Sequence, residues 1–199
     1  MKAEACLCVP AEVVMPALPK TGFIPVSEVE TKKFLSPEHM WFIPRTAAET
    51  NEDYKQIIPY LVLRYKDQVA IYRRTSNGAE SRLHNLYSLG FGGHVGVKDA
   101  VVAKDEALDV QMTLTFAATR ELKEEVIYGT IARTELTGVI YSDADAVSRV
   151  HLGLVQTVHL VKPFVCPAEN ALCEIKFVPI AELAQYINQM ETWSALVAK

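Results

Sequence analysis

No stretch of this chain approaches the run of about 20 apolar residues needed to span a bilayer. Its start, Met1-Lys2-Ala3-Glu4, has no apolar core of the kind a signal peptide carries, and acid and proline soon interrupt it. A soluble, cytoplasmic protein with no membrane partner is the expectation. Positive charge is also in short supply. Lys and Arg number 20 against 24 Asp and Glu, a formal net charge of −4, so there is no general attraction to nucleic acid. A negatively charged small molecule would need a local basic patch or a metal ion to be held. Cysteine is scarce too, at Cys6, Cys8, Cys166 and Cys173, and these spacings do not form the C-x2-C pairs of ordinary zinc sites. Reduced, incidental thiols are expected. Internal repeats and low-complexity tracts are absent.

What is there suffices for a sizeable core. Half of the 199 residues are hydrophobic, which fits one well-buried domain over 1–199. Residues 1–55 are broken by Pro10, Pro16, Pro19, Pro25, Pro37 and Pro44, which predicts short strands and turns packed as an irregular extension on the main body, 56–199. From Ile57 the pattern sharpens. Tyr60 to Tyr65 and Gln68 to Tyr72 are β-branched and aromatic runs joined by Lys66-Asp67, a hairpin signal. Thr75-Ser76-Asn77-Gly78 marks a turn, and a polar segment from Glu80 to His84 leads to the glycine-rich stretch Gly90-Phe91-Gly92-Gly93-His94. Residues 98–112 read as a solvated loop or helical extension, Ile131 to Tyr141 as a strand or pair, and Arg149 to Val161 as a long strand. The tail from Phe177 reads as a strand followed by one or two helices.

The densest chemistry lies in Ala117 to Val126, a helix whose sequence Arg120-Glu121-Leu122-Lys123-Glu124-Glu125 gathers three carboxylates. At about 100° per residue, Glu121 and Glu125 stack one above the other and Glu124 sits roughly 60° aside. Like charges so placed destabilise an isolated helix by a few tenths of a kcal/mol per pair, so a cation should compensate. Arg120 is one candidate and a bound Mg²⁺, or Mn²⁺, is the better one, because magnesium takes oxygen ligands and retains waters. The bland alternative is a solvated acidic face.

That hexapeptide, with Gly92-Gly93 upstream, resembles the Nudix hydrolases, whose box runs G-x5-E-x7-R-E-U-x-E-E-x-G-U with U a bulky aliphatic residue. The core from Arg120 to Glu125 is intact. The glycine pair stands about twice as far back as in the box, so residues 98–112 look like an insertion. Met112 occupies the position of the first Glu, and Ile127 that of the late Gly. With Ile127 in place, the helix is expected to run on and to end at Gly129. The resemblance implies an α/β fold, a Nudix-like α/β/α sandwich around a mixed β-sheet, with 56–199 as its catalytic body. It further implies a metal-dependent pyrophosphohydrolase cleaving the diphosphate linkage of a nucleoside diphosphate joined to another group. Metal ligands would be Glu121, Glu124, Glu125 and the carbonyl of Gly92. Glu124 or Glu121 would be the general base, and Arg120 would orient a carboxylate.

For the substrate phosphates, Arg74, Arg82, His84 and His94 are the candidates, because they cluster in sequence around the glycine stretch and Arg grips phosphate in bidentate fashion. Surface and capping roles are equally ordinary for each of them. His151, in an alternating strand, reads as a buried, hydrogen-bonded histidine. Two rivals stand beside hydrolysis: a Nudix-like binding or regulatory module without turnover, and an isomerase of isoprenoid diphosphates, which would need an extra proton donor such as a Cys near the glycines. A homodimer is a candidate assembly.

Overall fold

The computed structural model describes residues 4–18, 21–26, 31, 33–75, 84–168, 170 and 172–199. Arg82 and the turn around Asn77-Gly78 lie outside them. The fold class is α/β, a mixed β-sheet with flanking helices. Twelve strands are described. In chain order they are β1 (Ala5–Pro10), β2 (Gly22–Pro25), β3 (Trp41–Pro44), β4 (Tyr54–Tyr65), β5 (Gln68–Arg74), β6 (Tyr87–Ser88), β7 (Gly90–Phe91), β8 (Val126–Tyr128), β9 (Ile131–Tyr141), β10 (His151–Leu160), β11 (Val165–Pro167) and β12 (Leu172–Pro179). The described α-helices are α1 (Ala11–Val14), α2 (Arg45–Ala48), α3 (Val110–Glu125), α4 (Ala146–Arg149) and α5 (Thr192–Val197). No helix among the described residues is long and apolar enough to cross a membrane.

By contact density the chain forms two compact units. The first takes in residues 1–59, 93–119 and 136–155. Here the proline-rich N-terminal part contributes short elements, as expected. β1 pairs antiparallel with β3 and with the start of β4, and β2 lies antiparallel along the end of β9. The core combines Leu7 and Val9 of β1, Ile57, Val139, Leu152 and Leu154 with Val110, Leu114 and Ala117 of α3. Those three helix positions recur at the spacing of one helical face, which is why this segment is helical and which side it buries. Asp109 starts the helix, its carboxylate accepting the Met112 amide at 2.9 Å. Asp145 does the same for α4, accepting from Val147 and Ser148 at 3.0 and 2.9 Å.

The second unit takes in residues 60–92, 120–135 and 156–199. The expected hairpin is present: Arg64 pairs with Val69 and Tyr65 with Gln68, and Lys66 turns the chain with a φ of 54°. β12 lies antiparallel on the other side of β5. The glycine-rich stretch is more ordered than a loop. Tyr87 and Ser88 pair with β5, and Gly90 and Phe91 pair with Val62 and Leu61 of β4. The tail after β12 forms two short 3-10 turns, Ile180–Gln185 and Ile187–Gln189, and then the six-residue helix α5.

One expectation is corrected. The acidic helix does not continue to Gly129; it stops at Glu125, and Val126-Ile127-Tyr128 forms β8 against Val165–Pro167. Two β-branched residues and a tyrosine favour the extended backbone, and a partner strand is at hand to satisfy their amides. Ile127, in place of the box glycine, points its apolar side chain outward and is 57% exposed.

Candidate active site

All three carboxylates of the acidic helix belong to the second unit, and so does Gly92. Arg120 holds two of them. Its Nη1 donates to Glu121 Oε1 at 2.6 Å and, one turn on, to Glu124 Oε2 at 3.0 Å. The third, Glu125, is buried, and its Oε1 accepts the backbone N–H of Gly92 at 3.0 Å. A peptide N–H aimed at a buried carboxylate oxygen fixes its rotamer. The fold therefore brings together Arg120, Glu121 and Glu124, and Glu125 with Gly92. Exposure differs along the strip. The Glu121 side chain is 14% exposed and that of Glu124 is 52%, so Glu124 presents the more accessible carboxylate to solvent.

The donor chemistry suits a hard divalent cation, since every candidate ligand offers oxygen. Among the described residues no three His, Cys, Asp or Glu side chains are gathered tightly enough to enclose an ion.

Behind this strip lies a network of long-range contacts that sequence patterning does not reveal. Tyr72 is fully buried on β5, stacks on Phe91 with ring centroids 4.5 Å apart, and donates its hydroxyl to the Gly90 carbonyl at 2.7 Å. Arg74 donates in turn to the Tyr72 hydroxyl at 3.0 Å and to Ser88 Oγ at 3.4 Å. Burial works against the charge on Arg74, but Tyr72, Glu125 and Glu191 outweigh it and hold its pKa above the ordinary value. Tyr60 donates to Glu191 Oε1 at 3.0 Å, and its hydroxyl lies 2.8 Å from Ser194 Oγ. Glu191 also caps α5, accepting the amides of Trp193 and Ser194 at 2.8 and 2.7 Å, and Leu89 donates its amide to Ser194 Oγ at 3.0 Å. The acidic cap three residues ahead of Ser194 is the one sequence signal that could have marked this cluster.

Two of the remaining phosphate candidates are among the described residues. His84 is half-buried in the second unit. His94 belongs to the first unit, where its Nε2 lies 3.1 Å from Nε2 of His151. His151 is buried and its Nδ1 faces the Val147 carbonyl at 2.6 Å, which makes Nδ1 the protonated nitrogen and leaves Nε2 to accept from His94. Burial, with Arg45 and His151 adding to it, pushes the His94 pKa down to about 3, and burial lowers that of His151 as well. Both rings are therefore neutral in the native state at neutral pH. Below the ordinary histidine pKa of about 6.5 the unfolded chain takes up protons that the folded one refuses, so stability is full above that pH and falls as acid is added, down towards about 3. Allowing for partial solvent contact, a loss of about 1 kcal/mol per pH unit is expected. Urea midpoints between pH 7 and pH 4 should show it, with a flatter profile in His94→Gln; equal slopes would contradict the assignment.

Comparison with known proteins decides the family. No protein-family model matches the chain. It is 35% identical over 159 residues to Protein YmaB of Bacillus subtilis (strain 168), spanning 77% of this chain and 74% of that protein. Its structure matches the crystal structure of Tm1382, a protein assigned to the Nudix hydrolases, with a TM-score of 0.81 and 33% identity over 98% of this chain and 96% of the other. The chain belongs to the Nudix hydrolase family. Within the Nudix box, the intact Arg120-to-Glu125 core is the part held together by the contacts above. Met112, at the first-Glu position, is 42% exposed on α3.

Proposed function

We propose that this Nudix protein is a Mg²⁺- or Mn²⁺-dependent hydrolase of the diphosphate linkage in a small molecule, a nucleoside diphosphate joined to another group. The observation that carries the reading is the joint placement of the box core: Arg120 across Glu121 and Glu124, with Glu125 tied to the glycine stretch at Gly92. Glu121, Glu124, Glu125 and the Gly92 carbonyl would hold the metal. When bound, a divalent ion supplies charge neutralisation at the phosphate oxygens and lowers the pKa of water. The protein's own part is to orient and to move a proton. Arg120 fixes two carboxylates in one geometry, and Glu124, the more accessible, would accept the proton of the attacking water, with Glu121 as the alternative base. His84, in the same unit as the carboxylates, is a candidate to contact phosphate. Arg74, whose described hydrogen bonds run to Tyr72 and Ser88, is a weaker one.

The test is a panel of nucleotide sugars, dinucleoside polyphosphates, NADH, ADP-ribose and nucleoside triphosphates, each incubated with Mg²⁺ and with chelator. Diphosphate cleavage of at least one member, lost on chelation and restored by Mg²⁺, is the expected result. Tight binding of one member with no product from any would instead identify a ligand-binding module.

A further inference from the structure

We propose that Tyr72 is a positioning residue for Glu125, acting through the glycine stretch; the inference rests on Glu125 being a metal ligand. Three hydrogen bonds form a directed line within the second unit. Arg74 Nη2 donates to the Tyr72 hydroxyl at 3.0 Å, that hydroxyl donates to the Gly90 carbonyl at 2.7 Å, and two residues on the Gly92 amide donates to Glu125 at 3.0 Å. A donor that itself accepts from a cation is polarised and gives a stronger bond, so the guanidinium reinforces the hold on Gly90. The stack of Tyr72 on Phe91 fixes the intervening residue from the side. Gly90 is thus held by the Tyr72 hydroxyl and Phe91 by the Tyr72 ring, beside their pairing with β4, so that β5 helps to set the orientation of the Gly92 N–H. Gly92 has a φ of 155°, a conformation that a residue with a side chain rarely adopts, so its amide direction depends on what holds its neighbours.

Outer partners that orient a metal-binding carboxylate typically matter about 10-fold to 100-fold for metal affinity. Tyr72→Phe keeps the ring and its stacking and deletes only the hydroxyl. The Kd for Mn²⁺, followed by electron paramagnetic resonance of the free ion, is expected to rise about tenfold in this variant. In turnover, kcat should fall at saturating metal while KM for the substrate stays unchanged. Tyr141→Phe is the control, because Tyr141 is also a buried tyrosine but stands on β9 in the first unit. Its Mn²⁺ affinity should match the wild type; an equal weakening there would show general loosening and overturn the assignment. Glu125→Gln separates the two levels. If it weakens Mn²⁺ binding and Tyr72→Phe does not, the positioning role is wrong; if Glu125→Gln binds as the wild type does, the metal reading falls and this inference with it. Should Tyr72→Phe fail to fold, hydrogen exchange in the unaltered protein gives the answer. A protected Gly92 amide supports the clamp, and exchange at the rate of an open loop overturns it.

Discussion

Glu125→Gln should cut kcat/KM at saturating Mg²⁺ by about 10³-fold or more, with little change in melting temperature. The size follows from the several kcal/mol of charge stabilisation that a bound divalent ion supplies, each 1.4 kcal/mol being about a factor of ten in rate. Glutamine preserves the volume of the side chain and can still accept the Gly92 amide through its carbonyl, so the contact at 3.0 Å survives in form. What disappears is the negative charge. Glu124→Gln is expected to lose turnover to a comparable extent through the proposed base, yet to disturb folding even less, because its side chain is half exposed. The two variants differ in metal affinity: Glu125→Gln should weaken it more. Steady-state kinetics with and without added metal would check this, and activity within a fewfold of wild type in both variants would remove the proposed chemistry.

Gly90→Ala should lower stability by about 3 kcal/mol, which for a chain of this size corresponds to roughly 6–12 °C in melting temperature. A Cβ built on Gly90 would overlap the Cζ, Cε1 and Cε2 atoms of Tyr60. Overpacking is mild when the neighbour can swing away, but this ring cannot. Its hydroxyl is tied to Glu191 at 3.0 Å and sits 2.8 Å from Ser194 Oγ, and Trp193 meets it edge-on at 5.8 Å between centroids. Moving the ring would also break its bonds to Glu191, the residue that caps α5, and to Ser194. The double variant Gly90→Ala/Tyr60→Ala should therefore cost much less than the sum of its parts, since one change makes room for the other. Melting of Gly90→Ala within about 2 °C of wild type would mean that the ring is not held as described.

The parts of this molecule that were legible in its sequence are those written in short-range order. Arg120 to Glu125 lie within two helical turns, so their spacing alone places three carboxylates and their cation on one strip. The hairpin at Lys66-Asp67 and the long strand β10 were legible for the same reason. The end of α3 was misread because a glycine four residues on suggested a cap, whereas the extended preference of Val126-Ile127-Tyr128 prevailed once β11, far along the chain, offered a partner. Tyr72 and Glu191 were missed because their roles exist only through contacts with Gly90 and Tyr60, which no local pattern encodes. The contact of His94 with His151, 57 residues on, is likewise one that no local pattern encodes.

The guanidinium lying across Glu121 and Glu124 has one more effect. It gives the helix an internal counter-ion, so withdrawing the proposed divalent cation need not set Glu121 and Glu124 repelling one another. A chelated sample should be silent but intact, and replenishing the ion should revive it without refolding.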